Sequence, residues 1–207
     1  MSKVYTMNQI SLINVSKESP YDKFIHFYDL AINKNQEAIN ALAISSFNKI
    51  NNEVESRFVN LKFIKKDEWI FFSNYKGPKS IEFKSHHQIS ALLYWNSIDV
   101  QIRIKAKIKK TSSKFSDEYF KNRDINKNAL SISSAQSKKI KTYEEIVTKY
   151  DGVLKKASLL RKRPNYWGGY SFTPYYFEFW QGNKYRINKR EIFEFVENEW
   201  NFSIIQP

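Results

Sequence analysis

The chain has 207 residues, a formal charge of +13, 42% hydrophobic and 16% aromatic content, and no cysteine. This is enough apolar material for one substantial core, while disulfides, thiolate zinc sites and a cysteine nucleophile are excluded. The excess of lysine and arginine points to an anionic partner, whether nucleic acid, anionic lipid or a phosphorylated small molecule.

Residues 1–18 are polar and without sustained periodicity, and read as a flexible arm or as a segment that orders against a partner. They contain no apolar run or cleavage site of a secretory signal, and no stretch of the chain reaches the roughly 20 apolar residues of a membrane span. A soluble, cytoplasmic protein is therefore expected, with residues 19–207 as a single domain.

Ser19 and Pro20 read as an N-cap and first helical position, followed by Phe24, Phe27, Tyr28 and Ala31 at helical spacing. Short runs rich in β-branched and aromatic residues then predict antiparallel strands at Asn40 to Phe47, Arg57 to Ile64, Glu68 to Ser73 and Gln88 to Trp95. The clearest strand is Ile98 to Ile108, where Ile98, Val100, Ile102, Ile104, Ala106 and Ile108 alternate with polar residues. Helices are predicted over Ser116 to Asn122 and Tyr143 to Lys156, the second with Tyr143, Ile146, Val147, Tyr150 and Leu154 on one face. Strand character returns from Tyr170, with cores at Tyr175 to Trp180 and Ile192 to Val196 and a turn at Gln181-Gly182-Asn183. This order suggests an α+β domain built on a partly open β-barrel.

Three ordered segments carry a resemblance: Arg163-Pro-Asn-Tyr-Trp-Gly-Gly-Tyr-Ser-Phe-Thr-Pro, then Phe177-Glu-Phe-Trp-Gln-Gly, then Arg186-Ile-Asn-Lys-Arg190. Together with Trp200 and Pro207 they resemble the C-terminal signature of the pyridoxine/pyridoxamine 5′-phosphate oxidase family, and the similarity extends upstream to about Ser19. The resemblance implies an FMN-binding split β-barrel, mainly antiparallel with peripheral helices. It implies a homodimer with two equivalent sites at the subunit interface. The reaction implied takes hydride from the 4′ carbon of pyridoxamine or pyridoxine 5′-phosphate onto FMN and passes the electrons to O2.

For FMN, the resemblance assigns Arg57 to the phosphate, Arg57 to Lys62 along the ring and ribityl chain, Phe72-Ser73 as the next contact, and Lys79 as a second phosphate cation. The family's arginine beside that lysine is Pro78 here. Gln101, Gln136-Ser137, Trp167 and Arg190 complete the cofactor set. An arginine near the flavin pyrimidine would stabilise charge developing on reduction. From the residues alone, Trp167 is equally readable as plain core, and Gln136-Ser137 as a helix cap.

For the substrate, Lys62, Tyr119 and Arg123 match residues that grip its phosphate, and Lys127 replaces a family serine. Arg186 matches an arginine lying over the pyridine ring. Asn188 replaces a histidine and Lys189 an aspartate. Asparagine hydrogen-bonds in both senses but cannot change charge near neutral pH. The three histidines, His26, His86 and His87, match no catalytic position, and no metal-ligand cluster is readable.

Two other readings stand beside the oxidase. The changes at 127, 188 and 189 fit a relative that oxidises a different compound on the same fold. Arg103 to Lys110 and Arg161-Lys162-Arg163 would serve a non-enzymatic basic binding protein.

Overall fold

The computed structural model describes residues 9–207. Ile10, Leu12 and Val15 pack on the core, and β1 (Ser11–Ile13) runs parallel to β4 (Phe63–Lys65). The Tyr28 hydroxyl, on α1 (Ser19–Asn33), accepts from the Ile10 amide at 2.7 Å. The expectation of a flexible arm over 1–18 is corrected for this stretch, whose apolar residues give a polar segment enough purchase to join the sheet. Residues 1–8 of that arm lie outside the described residues.

Helix α1 begins one residue earlier than expected, with Glu18 at the N-cap and Pro20 in the first turn. The Glu18 carboxylate caps nothing and instead accepts from Trp200 Nε1 at 3.1 Å. The buried face is Tyr21, Phe24, Phe27, Tyr28 and Ala31, as helical spacing requires.

β2 (Ala41–Asn48) lies between β3 (Glu53–Asn60) and β6 (Gln88–Trp95), both antiparallel to it. The expected strand Arg57 to Ile64 is divided. β3 ends at Asn60, Leu61 is fully buried, and the chain resumes as β4, which pairs with β5 (Glu68–Asn74). Period-two alternation reports facing, not partner, so it cannot see a strand change partners.

β7 (Val100–Lys110) pairs with β6 and, along its whole length, with β8 (Trp167–Gln181). β8 also pairs with β5 at one end and β9 (Lys189–Val196) at the other. β9 and β10 (Glu199–Ile205) form a hairpin whose turn residues Glu197 and Asn198 both have positive φ, 53° and 68°. That is the backbone a tight two-residue hairpin requires. The Gln181-Gly182-Asn183 turn is held by Gly182 N–H donating to Asp99 O at 2.9 Å, and a Cβ on Gly182 would meet the Asp99 carboxylate at 1.6 Å.

The ten strands of the described residues form one mostly antiparallel sheet, in the order β1-β4-β5-β8-β7-β6-β2-β3, with β9 and β10 continuing from β8. Among the described residues five α-helices and a short 3-10 turn (Ala157–Leu159) accompany it, giving the expected mixed α+β architecture. Two were not expected from sequence: α2 (Pro78–Ser85) and α4 (Ile125–Ser133). α3 (Ser113–Asn122) is capped by the Ser112 hydroxyl, and α5 is Tyr143–Leu154. The apolar stripe expected on α5 does not enter the core; no α5 residue is buried. No helix is long and apolar enough to cross a membrane among the described residues.

The core is aromatic. Phe24 is fully buried, its ring 4.5 Å from Trp69 and 5.6 Å from Trp95, and Trp95 Nε1 donates to Ile39 O at 3.1 Å. Phe24→Ala is expected to destabilise the protein by about 3–5 kcal/mol, the usual cost of removing a buried ring without collapse of the cavity. Urea unfolding checks it, and a loss below about 1 kcal/mol would show that α1 is not anchored through this residue.

Candidate functional site

The first group of site residues gathers where β5 meets the beginning of β8. Phe72 and Trp167 stand on these strands with nearly parallel rings 5.2 Å apart, and Tyr119 of α3 stacks on Phe72 at 3.8 Å. The strand partner of Phe72 is Gly169, where a Cβ would meet Thr111 Oγ1 at 2.5 Å and Phe72 itself at 3.2 Å. Glycine is therefore needed for Thr111 and the Phe72 ring to lie so close to the strand.

Arg123 lies over Trp167, its guanidinium carbon 4.9 Å from the ring. Asn128 and Ser131 of α4 fix it, accepting from Nη1 at 3.1 Å and 2.9 Å. Asn128 is itself fully buried and donates to Phe120 O and Leu160 O, both at 2.8 Å. Arg161 Nη1 adds bonds to Lys121 O and Arg123 O, tying down the end of α3.

Lys62, in the link between β3 and β4, faces the same place. Burial pushes its ammonium below the ordinary lysine value, and the charges of Lys127 and Arg123 push further the same way. Burial likewise lowers Arg123, and it raises the Tyr119 phenol. Among the described residues no carboxylate forms an ion pair with Lys62, Arg123 or Lys127. Like charges held together without a counter-charge describe a place suited to an anion.

The second group lies beside the first. Ser73 follows Phe72 on β5, and its hydroxyl accepts from Lys79 Nζ at 3.2 Å. Burial lowers Lys79, with Arg57 contributing and Glu82 opposing. Arg57 Nη2 is paired with Glu82 at 2.9 Å and Nη1 donates to the Ser46 hydroxyl. Gln136 comes alongside, its Oε1 3.4 Å from where a Cβ on Gly77 would stand. α4 is closed by Ser134 and α5 is preceded by Thr142, so Gln136-Ser137 cap neither helix. Ser137 has φ 66°.

The third group is at the other end of β8. Gln101 is level with Tyr94 and Trp180. Arg190 is level with Trp180 and donates twice to Glu178 Oε1, from Nε at 2.9 Å and Nη2 at 2.7 Å. The same buried carboxylate accepts from Arg103 and from the Tyr176 hydroxyl. Burial works to raise Glu178, but these donors outweigh it and hold the group below the ordinary carboxylate range. Beyond this the exposed 182–188 loop carries Arg186, with φ 63° and its amide donating to Asn183 O. Asn188 Oδ1 accepts from the Asn183 amide at 3.1 Å. That bond commits the oxygen to the loop and leaves the Asn188 amide hydrogens for a ligand.

Lys62, Tyr119, Arg123, Lys127, Phe72 and Trp167 are thus brought together, with Arg57, Ser73 and Lys79 alongside. Gln101, Arg186, Asn188 and Arg190 are not brought to them. The fourteen steps from Trp167 to Gln181 make roughly 45 Å of strand contour at about 3.3 Å per residue. Sequence reasoning missed Asn128, Glu82 and Glu178, which touch the site arginines. Only Glu178 left a signal, as an acidic residue inside the quoted Phe177-Glu-Phe-Trp-Gln-Gly segment.

Residues 167–207 match a family profile described as the pyridoxine 5′-phosphate oxidase C-terminal dimerisation region. A pyridoxine/pyridoxamine 5′-phosphate oxidase of Cytophaga hutchinsonii is 32% identical over 194 residues, covering 91% of this chain and 89% of that one. Its counterpart in Actinobacillus pleuropneumoniae is 27% identical over 98% of this chain and 96% of its own. Among solved structures, PhzG from Burkholderia lata in complex with tetrahydrophenazine-1-carboxylic acid superposes with a TM-score of 0.86 at 24% identity, covering 92% and 93% of the two chains. An FMN-binding protein of Nostoc punctiforme superposes at 0.75 with 12% identity, covering 91% and 98%. On sequence and fold together, the chain belongs to the pyridoxine/pyridoxamine 5′-phosphate oxidase family and has its split β-barrel fold.

Proposed function

We propose that the protein is an FMN-dependent oxidase converting pyridoxamine or pyridoxine 5′-phosphate to pyridoxal 5′-phosphate with O2, working as a homodimer. One observation carries the substrate side. Among the described residues Lys62, Arg123 and Lys127 converge without a carboxylate ion pair beside the Phe72–Tyr119–Trp167 stack. A phosphate satisfies the cations and a flat ring suits an aromatic wall.

The donor set at Arg57, Ser73 and Lys79 fits the phosphate of FMN, with two cations and a hydroxyl in reach of one another. Bound there, FMN would supply the two-electron acceptor. The chain's own residues bind and orient. Lys62 and Arg123 hold the substrate phosphate, Asn128 keeps Arg123 in place, and Arg186 of a second copy covers the substrate ring. Asn188 of that copy offers hydrogen-bond donors but moves no proton.

A second reading, oxidation of a different compound, draws on Asn188 and Lys189. Anaerobic mixing of the FMN-loaded protein with either B6 phosphate separates the two. Loss of the oxidised flavin absorbance is expected, and no bleaching by either compound sinks the B6 assignment. Asn188→His should raise that rate, whereas a repurposed site would not respond.

Lys62→Met and Arg123→Met are each expected to raise KM for the phosphorylated substrate about 10- to 100-fold, the scale of one charge-assisted hydrogen bond. Steady-state kinetics in which KM stays put would remove these residues from the phosphate site.

Lys62 also gives the site a pH dependence. Its pKa lies below the ordinary 10.5, so in the window between the two values the unfolded chain binds more protons than the folded one. Stability of the ligand-free protein therefore rises with pH across that window. A bound phosphate raises Lys62 again, so binding takes up protons. Affinity should fall as pH rises through the lowered value, and Lys62→Met should flatten that limb in calorimetric titrations.

A further inference from the structure

Glu82 lies on α2 with its side chain fully buried, a costly place for a carboxylate unless it is paired. Its Oε2 accepts from the Ser46 hydroxyl and from Arg57 Nη2, and its Oε1 has no partner among the described residues. Ser46 in turn accepts from Arg57 Nη1. The two η nitrogens thus go to two oxygens that are themselves hydrogen-bonded, so the Glu82–Ser46 pair occupies the end of the guanidinium. Arg57 Nε–H makes no hydrogen bond among the described residues, and the Arg57 side chain keeps 20% exposure. Pro78 opens α2 without charge or N–H, so the fork of donors at this end comes from Arg57.

We propose that Glu82 is a positioning residue. With Ser46 it anchors the end of the Arg57 guanidinium and turns the free N–H edge toward the cofactor phosphate. The role rests on the reading of Arg57, Ser73 and Lys79 as the FMN-phosphate site. It also counters the repulsion between Arg57 and Lys79 while no phosphate is bound, so that the donors are set before the ligand arrives.

The test compares FMN with riboflavin, which lacks the phosphate, on the full chain stripped of flavin, with binding read by flavin fluorescence quenching. Glu82→Met, close in volume but without an acceptor, should weaken FMN roughly tenfold or more, the scale of a charge-assisted hydrogen bond, and leave riboflavin unchanged. Glu82→Gln keeps an acceptor and should stay within about threefold of wild type, because a neutral hydrogen bond still orients the guanidinium. On an Arg57→Ala background Glu82→Met should add nothing, since a residue acting through Arg57 has nothing left to act on. Should Glu82→Met fail to fold, Ser46→Ala removes the other anchor and carries the same comparison. Equal weakening of both flavins, tighter FMN binding, or additivity with Arg57→Ala would each overturn the role. Wild-type protein that binds FMN no better than riboflavin would overturn the phosphate-site reading itself, and the Glu82 role with it.

Discussion

The arrangement depends on β8 pairing with three strands at once. Its first half lies against β5, its second half against β9, and β7 runs beside it throughout. Strand side chains alternate between faces, so one strand carries both the core rings and the outward polar groups. The register shifts at Lys105/Ala106, where β8 has an extra residue and Pro174 stands next to it. A bulge is where a strand tolerates a residue with no amide hydrogen. It also changes the phase, so that Phe172 before it and Phe177 and Phe179 after it all reach the core although the spacing from 172 to 177 is odd. Without that step the outward groups of the second half, Glu178 among them, would point inward.

A formal charge of +13 would suggest a uniformly basic surface, but the buried acids divide the cations into two kinds. Glu178 holds Arg103 and Arg190, Glu191 holds Lys23 and Lys189, and Glu82 holds Arg57. Each of those cations is paired with an acid that costs too much to bury alone, although Arg57 keeps an Nε–H without a hydrogen bond among the described residues. Among the described residues Lys62, Arg123 and Lys127 have no such partner, which suits the proposed grip on a substrate phosphate. The basic stretch Arg103 to Lys110 loses much of its appeal as a nucleic-acid face for the same reason: Arg103 is bound to Glu178 and Lys109 to Glu68.

Residue patterns revealed the strands well wherever one face was buried and one partner held throughout. β6 follows from alternation to the residue, and β7 lies two residues further along than the expected Ile98 to Ile108. β3 and β4 do not, because the alternation runs on through Leu61 while the pairing partner changes. α2 and α4 escaped because each is short and buries few residues, Phe83 and Ala129 being their buried apolar members. On α5 the helix was legible but its destination was not, since periodicity marks an apolar face without saying what covers it. The site behaved similarly. The resemblance supplied residues by type and order, whereas Asn128, which reaches Arg123 across a helix junction, leaves no spacing to read.

The separation along β8 is the strongest constraint on how the proposed enzyme is assembled. Trp167, Lys62, Arg123 and Lys127 stand at one end, Arg190, Arg186 and Asn188 at the other, and β8 between them is hydrogen-bonded on both sides. No side-chain rotation closes such a gap. In the proposed homodimer, a second copy related by a two-fold axis would bring the far end of one β8 to the near end of the other and complete two sites together, as isologous contacts must. The β9–β10 hairpin leaves Phe195, Phe202 and Ile204 exposed, an apolar surface of the kind such a contact covers. It falls within the 167–207 segment that matches the family's dimerisation region. On the proposed reading dimerisation would be a condition for having a complete site at all, because each chain would supply the phosphate grip for one substrate and the ring-covering loop for the other.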